Sequence, residues 1–461
     1  MLAKTLIEGR GAEAQAAANA LAELHDEAAK RALFEAVRIA EHDVSTAALG
    51  ALAELDGADV RELMLTHLGS QNRASTEAAA HYFQQHHDES VVPQLALLAR
   101  RGARGGGAAA LSALAAIGGD ASRAAIVDLA GRAGSSQEVA LETLARMPGG
   151  REEARTLSLS LLREGGSVRQ AALDVLGNDA APESRSALID VARSRDPSAS
   201  TAMTLLARRG DPEAVRVLAD LALKGGEKKT RIDALAALGM SGDPAVADTL
   251  ACALQGGDRD VKHAALRGLS AVGGPEAEKT ILTATLSSDA TLRAAAVHAL
   301  GRRPSAGATR ELERLATDSD RRVASAAFRS LAATAPERAA GIAEAQMKSR
   351  DTEARRTVMQ MSNMLDPGQA RELLVVGLGD AEPDVVAMAA RGLAGVGDRT
   401  SQNALAAPLA SAGAPEAART AADALADIGG ETAHRFADLI AKYGSRDGAG
   451  SDVGADDIEV E

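Results

Sequence analysis

The chain has 461 residues, a mass of 47.0 kDa, 46% hydrophobic residues and only 1% aromatics, with no Trp. So few aromatics argue against a large all-β fold, and the Ala- and Leu-rich remainder favours closely packed helices. Lys and Arg number 51 against 64 Asp and Glu, a net charge of −13, which argues against a general nucleic-acid binder with a basic surface.

A single cysteine, Cys252, excludes an intrachain disulfide framework and an all-Cys metal cluster. The start, MLAKTLIEGR, has no apolar core of signal-peptide length. No run approaches the roughly 18 apolar residues that span a bilayer. The expectation is a cytoplasmic protein, without a membrane or nucleic-acid partner.

Taken in chain order, residues 1–10 stand outside any period and read as an N-terminal cap. A repeat then begins. The stretches VRQAALDVLG at 168–177, TRIDALAALG at 230–239 and VKHAALRGLS at 261–270 share one pattern, whose sixth position serves as an anchor. The anchors are Ala18, Leu49, Ala80, Leu111, Leu141, Leu173, Thr204, Leu235, Leu266, Val297, Phe328, Met359, Ala390 and Ala422, spaced 30 to 32 residues apart. Three residues after each anchor the residue is most often Leu, as in Leu21, Leu114, Leu238 and Leu331. An i, i+3 apolar pair marks one face of a helix, here termed A. Fifteen after the anchor a third column holds Leu33, Met64, Leu95, Ile126, Leu188, Leu250, Ile281, Leu312, Leu374 and Leu405, with Thr156, Ala219, Ala343 and Ala437 in the other units. This column predicts a second helix, B.

Pro148, Pro182, Pro212, Pro244, Pro275, Pro304, Pro336 and Pro367 fall seven to nine residues after an anchor. Pro is tolerated in the first turn of a helix, where its missing N–H has no helical partner. The strings GDPEA at 210–214, GDPAV at 242–246 and GGPEA at 273–277 therefore read as a Gly that ends helix A and an Asp or Gly that caps helix B. Pro408 falls inside the twelfth B helix and predicts a kink there.

This unit, V-R-x-A-A-L-x-x-L-G followed by G-D-P-E-A, resembles the HEAT repeat, in the short bacterial form of phycobilisome-lyase subunits. The resemblance covers residues 11–443. It implies an all-α fold, an α-solenoid of about 14 helix–turn–helix repeats of about 31 residues in one repeat domain over 1–444. Composition rich in Ala, Gly and Arg fits a bacterial source.

Arg169, Arg231, Arg293 and Arg355, with Lys262 in kind, recur four residues before the anchor. Asp196, Asp258, Asp260, Asp289, Asp320 and Asp351 lie near the turn after helix B. The balanced charges point to an Asp–Arg ladder between units rather than an anion site.

No catalytic, cofactor-binding or metal residue is assigned, and no cofactor is expected. Six of the nine histidines, His25, His42, His67, His81, His86 and His87, lie in the first 87 residues. His25 and His87 are two units apart, roughly 20 Å, too far to share one ion. The run His86-His87-Asp88-Glu89 reads as a polar turn, with weak metal binding as the alternative. RRGARGGG at 100–107 and GGEKKT at 225–230 lack the spacing of a phosphate loop and read as turns between units. Cys252, between Leu250 and Leu254, reads as a small buried apolar residue. Deoxyhypusine hydroxylase, of similar architecture, binds iron through His-Glu dipeptides, and this chain has none.

Residues 445–461 change character to an acidic, Gly- and Ser-rich tail that predicts disorder. Six acids and one base fall in 446–461, leaving −8 for the rest of the chain. The ending Asp457-Ile458-Glu459-Val460-Glu461 reads as a solubilising end or as a short linear motif for a partner. The functional expectation is a non-catalytic scaffold or adaptor that binds another protein along a concave face lined by B helices. The alternative is an enzyme subunit or cofactor chaperone resembling bilin lyase subunits.

Overall fold

The computed structural model describes residues 1–9, 11–39, 42–102, 106–256 and 258–396. It divides into two compact units, Met1–Leu221 and Ala222–Glu461. Among the described residues every regular element is helical.

The first unit opens with the helix Leu2–Glu8, which packs on the A and B helices of repeat 1. The A and B helices that follow are Ala12–Leu24 with Glu27–Ile39 (repeat 1), His42–Leu52 with Ala58–Leu68 (2) and Arg73–His86 with Val92–Arg100 (3). Next come Gly107–Ile117 with Gly119–Gly131 (4), Gln137–Arg146 with Arg151–Leu161 (5), Gly166–Asn178 with Pro182–Arg193 (6) and Ala199–Arg209 with Pro212–Lys224 (7). The second unit holds Lys228–Ser241 with Ala247–Gly256 (8), Arg259–Val272 with Pro275–Ala284 (9) and Ala290–Gly301 with Ala306–Leu315 (10). It continues with Arg321–Thr334 and Pro336–Met347 (11), Thr352–Met361 and Pro367–Leu378 (12), and the A helix Pro383–Val396 (13). The thirteenth B helix, the fourteenth repeat, the expected kink at Pro408 and the acidic tail lie outside the described residues.

The punctuation works as its chemistry dictates. Gly210 and Gly242 end their A helices with φ of 65° and 66°, a left-handed conformation open to Gly at no steric cost. Pro182, Pro212, Pro275, Pro336 and Pro367 each begin a B helix. Asp211 and Asp366 cap two of them, accepting the backbone N–H of Ala214 at 2.9 Å and of Gly368 at 2.7 Å.

Both A-helix columns are buried throughout the described repeats, apart from half-buried Thr204. The third column needs a correction in two repeats. Thr156 is exposed and Ala219 half-buried, while Ser158 and Leu218 take the core positions. In repeat 5 helix B begins ten residues after the anchor, one later than in repeats 1, 6, 9 and 10, and in repeat 7 it begins eight after, one earlier, so counting from helix A slips. Counted from the first residue of helix B, or of the 3-10 turn that opens it in repeats 3 (Glu89–Val91) and 8 (Pro244–Val246), the core position stays at the seventh or eighth residue.

Within each unit successive A helices pack closely and successive B helices touch more sparsely. Small residues allow the close approach. A Cβ placed on Gly239 would come within 2.7 Å of the Gly268 Cα, so the A helices of repeats 8 and 9 meet backbone to backbone.

Leu235 is fully buried in this layer. Leu235→Ala should cost roughly 2–5 kcal/mol in denaturant unfolding, through lost transfer energy and a residual cavity. Thr156→Ala should leave the unfolding midpoint nearly unchanged, whereas a core position for Thr156 would lower it.

Candidate functional site

The turn edges carry a charge ladder. Arg169 pairs with Asp196 at 2.8 Å and Arg231 with Asp258 at 3.8 Å. Arg293 holds Asp318 through Nε and Nη2 at 2.9 and 2.8 Å, and Arg355 holds Asp380 in the same way at 2.7 and 3.0 Å. Each of these last two guanidiniums also donates 2.9 Å to a carbonyl of the preceding turn, Ser287 for Arg293 and Ser349 for Arg355. One side chain thus stitches two successive turns.

The expected ladder is present, but two of its rungs use other acids. Asp258, Asp289, Asp320 and Asp351 are N-caps of the A helices that follow them. A capping carboxylate turns toward the N–H groups of its own helix. The neighbouring Arg therefore finds Asp318, two residues before the cap in repeat 11, and Asp380, three before the first helical residue in repeat 13. A second ladder, unforeseen from the sequence, ties B helices of the first unit to the start of the next B helix or the turn before it. Lys30 pairs with Asp59 at 2.6 Å, Arg61 with Asp88 at 2.7 Å, Arg123 with Glu153 at 3.5 Å and Arg185 with Glu213 at 2.8 Å. Its signal was a basic residue at the fourth or fifth position of those B helices.

The histidines serve the same joints. His86 places Nδ1 2.7 Å from the Tyr82 carbonyl and Nε2 2.6 Å from Asp56 of the previous repeat, while its ring stacks on Tyr82. His25 and His87 end their A helices in left-handed conformation, with φ of 50° and 49°. Asp88 is engaged by Arg61 and Ser90. Within the run from His86 to Glu89, His86 and Asp88 are thus engaged by different partners. Among the described residues no group of three or more His, Cys, Asp or Glu is placed to hold a metal ion. The side chain of His42 lies outside the described residues.

The other candidate loops resolve similarly. In 100–107, Arg100 pairs with Asp128 at 2.8 Å, and residues 103–105 lie outside the described set. In 225–230, Lys228 pairs with Asp260 and Lys229 with Asp233. Cys252 corrects an expectation, because it is exposed. Leu250 and Ala253, three residues apart, face the core, and a 100° step per residue turns position 252 away from both.

The B side offers an open groove between the B helices of repeats 9 and 10. Leu282 and Leu286 supply its apolar surface, and Leu286 is 72% exposed. Lys279, Arg310 and Arg314 stand with Glu278 and Glu311 around it. Both carboxylates are occupied. Glu278 accepts from the Ser305 hydroxyl at 2.5 Å, and Glu311 accepts from Thr285 and Arg314 at 2.5 Å. Burial alone would raise the Glu311 carboxyl, but Arg314 and Thr285 outweigh it and keep the group below its usual value. Arg310 donates only to the Ala306 carbonyl, at 3.2 Å, among the described residues.

Paired helices of constant register, stacked through apolar columns and laced at their turns, define a class: this is a HEAT-like helical-repeat chain of α-solenoid type. Among the described residues no helix is long and apolar enough to cross a membrane.

No protein-family model matches the chain, and no curated protein matches it by sequence. Solved structures do superpose. Importin β crystallised in ammonium sulfate matches at TM-score 0.39 and 14% identity, over 96% of this chain and 79% of that one. Yeast importin-β (Kap95p) matches at TM-score 0.44 and 13% identity, over 96% and 74%. The complex of CpcE and CpcF of phycocyanin lyase from Nostoc sp. PCC7120 matches at TM-score 0.26 and 18% identity, over 57% and 97%. The assignment of class stands on the helix order and packing.

Two outcomes follow from the ladder and the thiol. Burial would raise the carboxyls of Asp318 and Asp380, but Arg293 and Arg355, with backbone N–H groups, hold both below the usual value. Their stabilisation is complete above the unfolded carboxyl value of about 3.9 and is lost as pH falls through the lower folded values. Stability to denaturant should fall between about pH 5 and about pH 2, and less steeply in Asp318→Asn with Asp380→Asn. Equal slopes would contradict the rungs. A maleimide should modify Cys252 in the folded chain, at a rate that denaturant raises only slightly.

Proposed function

We propose that the chain is a non-catalytic scaffold that docks another protein on its B-helix side. The observation that carries this reading is the groove between the B helices of repeats 9 and 10. An exposed Leu beside an apolar neighbour, rimmed by charges, has the composition of a small interface core with a polar rim. The sparse packing of B helices leaves such grooves open, while the A layer closes its own. The rim carboxylates are already hydrogen-bonded, so a partner meets Leu282, Leu286 and the guanidinium of Arg310 as the available contacts.

The enzyme-subunit alternative rests on repeat type alone. The described side chains supply no feature that favours it.

The test is affinity capture with the intact chain and with Leu282→Glu plus Leu286→Glu. A protein bound by the wild type should be depleted at least about tenfold on the variant, a loss of about 1.4 kcal/mol or more. Equal recovery on both chains would remove the groove as the docking site.

A further inference from the structure

The A side of the second unit carries a feature unlike the B groove. One residue after the anchor, the A helices of repeats 9, 10, 11 and 13 hold Arg267, His298, Arg329 and Arg391, all exposed, with Gln360 at that position in repeat 12. Arg302 follows His298 by four residues at the end of the same helix and is exposed too. None of these five has an ion pair or side-chain hydrogen bond among the described residues. The matching positions of the first unit are Asn19, Gly50, His81, Ser112, Glu142, Asp174 and Leu205, with no Arg or Lys.

Register brings these groups together. The A helices of repeats 9, 10 and 11 pack side by side in order, and neighbouring helix axes stand about 8–10 Å apart. Arg267, His298 and Arg329 occupy equivalent positions on the three helices and so form a row. Residues four apart, such as His298 and Arg302, share one helix face. A surface depression lined by Ser270, Ala271, Arg302, Arg303 and Pro304 opens at Arg302. Arg303 is spent on the Ser270 and Ala271 carbonyls, at 2.8 and 2.5 Å, which leaves Arg302 as the free cation.

Acids are distant and occupied. On these helices Asp260, Asp289 and Asp320 lie seven to nine residues before the row, at least about 10 Å along the axis. That is a full Debye length at physiological salt. Asp260 pairs with Lys228, Asp289 caps the Thr291 N–H, and Arg322 holds Asp320 at about 2. Within four residues of Arg267, His298 and Arg329 these three A helices carry no acid.

We infer that this face receives an acidic peptide, and that the resident one is the chain's own C-terminal segment, residues 445–461. The segment brings six acids and one base. Length suffices. The last described helix, Pro383–Val396, lies two A-helix spacings from that of repeat 11, about 20 Å, and 65 residues follow it. The 17 residues of the segment alone reach about 55–60 Å when extended. Seated there, the tail is a built-in competitor for acidic segments of other proteins. The site is separate from the B-side groove, so either can fail without the other.

The test uses a fluorescein-labelled peptide of residues 445–461 and full-length chains, read by polarisation at two salt concentrations. In one chain the six tail acids become Asn or Gln, freeing the face. This chain should bind the peptide at least about tenfold tighter than the wild type does, and more weakly at high salt. Adding Arg267→Glu, Arg302→Glu and Arg329→Glu should abolish binding with unchanged helical circular dichroism, since these side chains are exposed. Equal binding by wild-type and neutralised-tail chains would overturn seating in cis, as would a concentration-dependent dimer lost with the tail charges. Binding that survives the three Arg reversals would overturn the site. A single-stranded oligonucleotide that displaces the peptide at lower concentration than unlabelled peptide would replace the proposed ligand class.

Discussion

The structure depends on the packing of one A helix against the next. No single helix pair of this size can bury its own apolar face, so each borrows a surface from its neighbour. Ala and Gly make the approach close, to the point where Gly239 and Gly268 bring two backbones together. Leu at the second column then fills what remains. With almost no aromatic side chains to fill voids, stability is a sum of many small, nearly equal contacts along the chain.

This constraint separates the roles of the two layers. The A layer is consumed by its own packing, and what it shows to solvent is a thin strip of each helix. The B layer is looser and keeps apolar side chains such as Leu286 in the open. Charge follows the same division. Balanced pairs lace the turn edges, where they align one repeat with the next. The unbalanced charge sits on the exposed strip of the A helices in the second unit.

Much of the architecture was legible in the residues, because the columns at Leu235 and Leu238 recur with so little drift that helix A is fixed nearly everywhere. The B register of repeats 5 and 7 was not, since the start of helix B shifts against the anchor and counting carries the error into Ser158 and Leu218. Cys252 misled because its neighbours Leu250 and Leu254 suggest a continuous apolar run, whereas helical rotation decides the face. The ladder partners Asp318 and Asp380 were hidden by the adjacent caps, which look equally suitable until the helix N–H groups claim them. The basic row was invisible for another reason. Its members are scattered one per repeat in an acidic chain, and only the fold gathers Arg267 and Arg329 onto one face.

The ladder Arg residues stand 62 residues apart, at repeats 6, 8, 10 and 12. In the second unit the Arg–Asp clamp on this edge therefore closes alternate joints, 8 to 9, 10 to 11 and 12 to 13. Ionic strength acts on these clamps, while the joint of repeats 9 and 10 is held instead by Arg303, Ser305 and Thr285. On this edge the Arg–Asp pairing thus runs in doublets of repeats, with the doublet of 8 and 9 joined to that of 10 and 11 by other bonds.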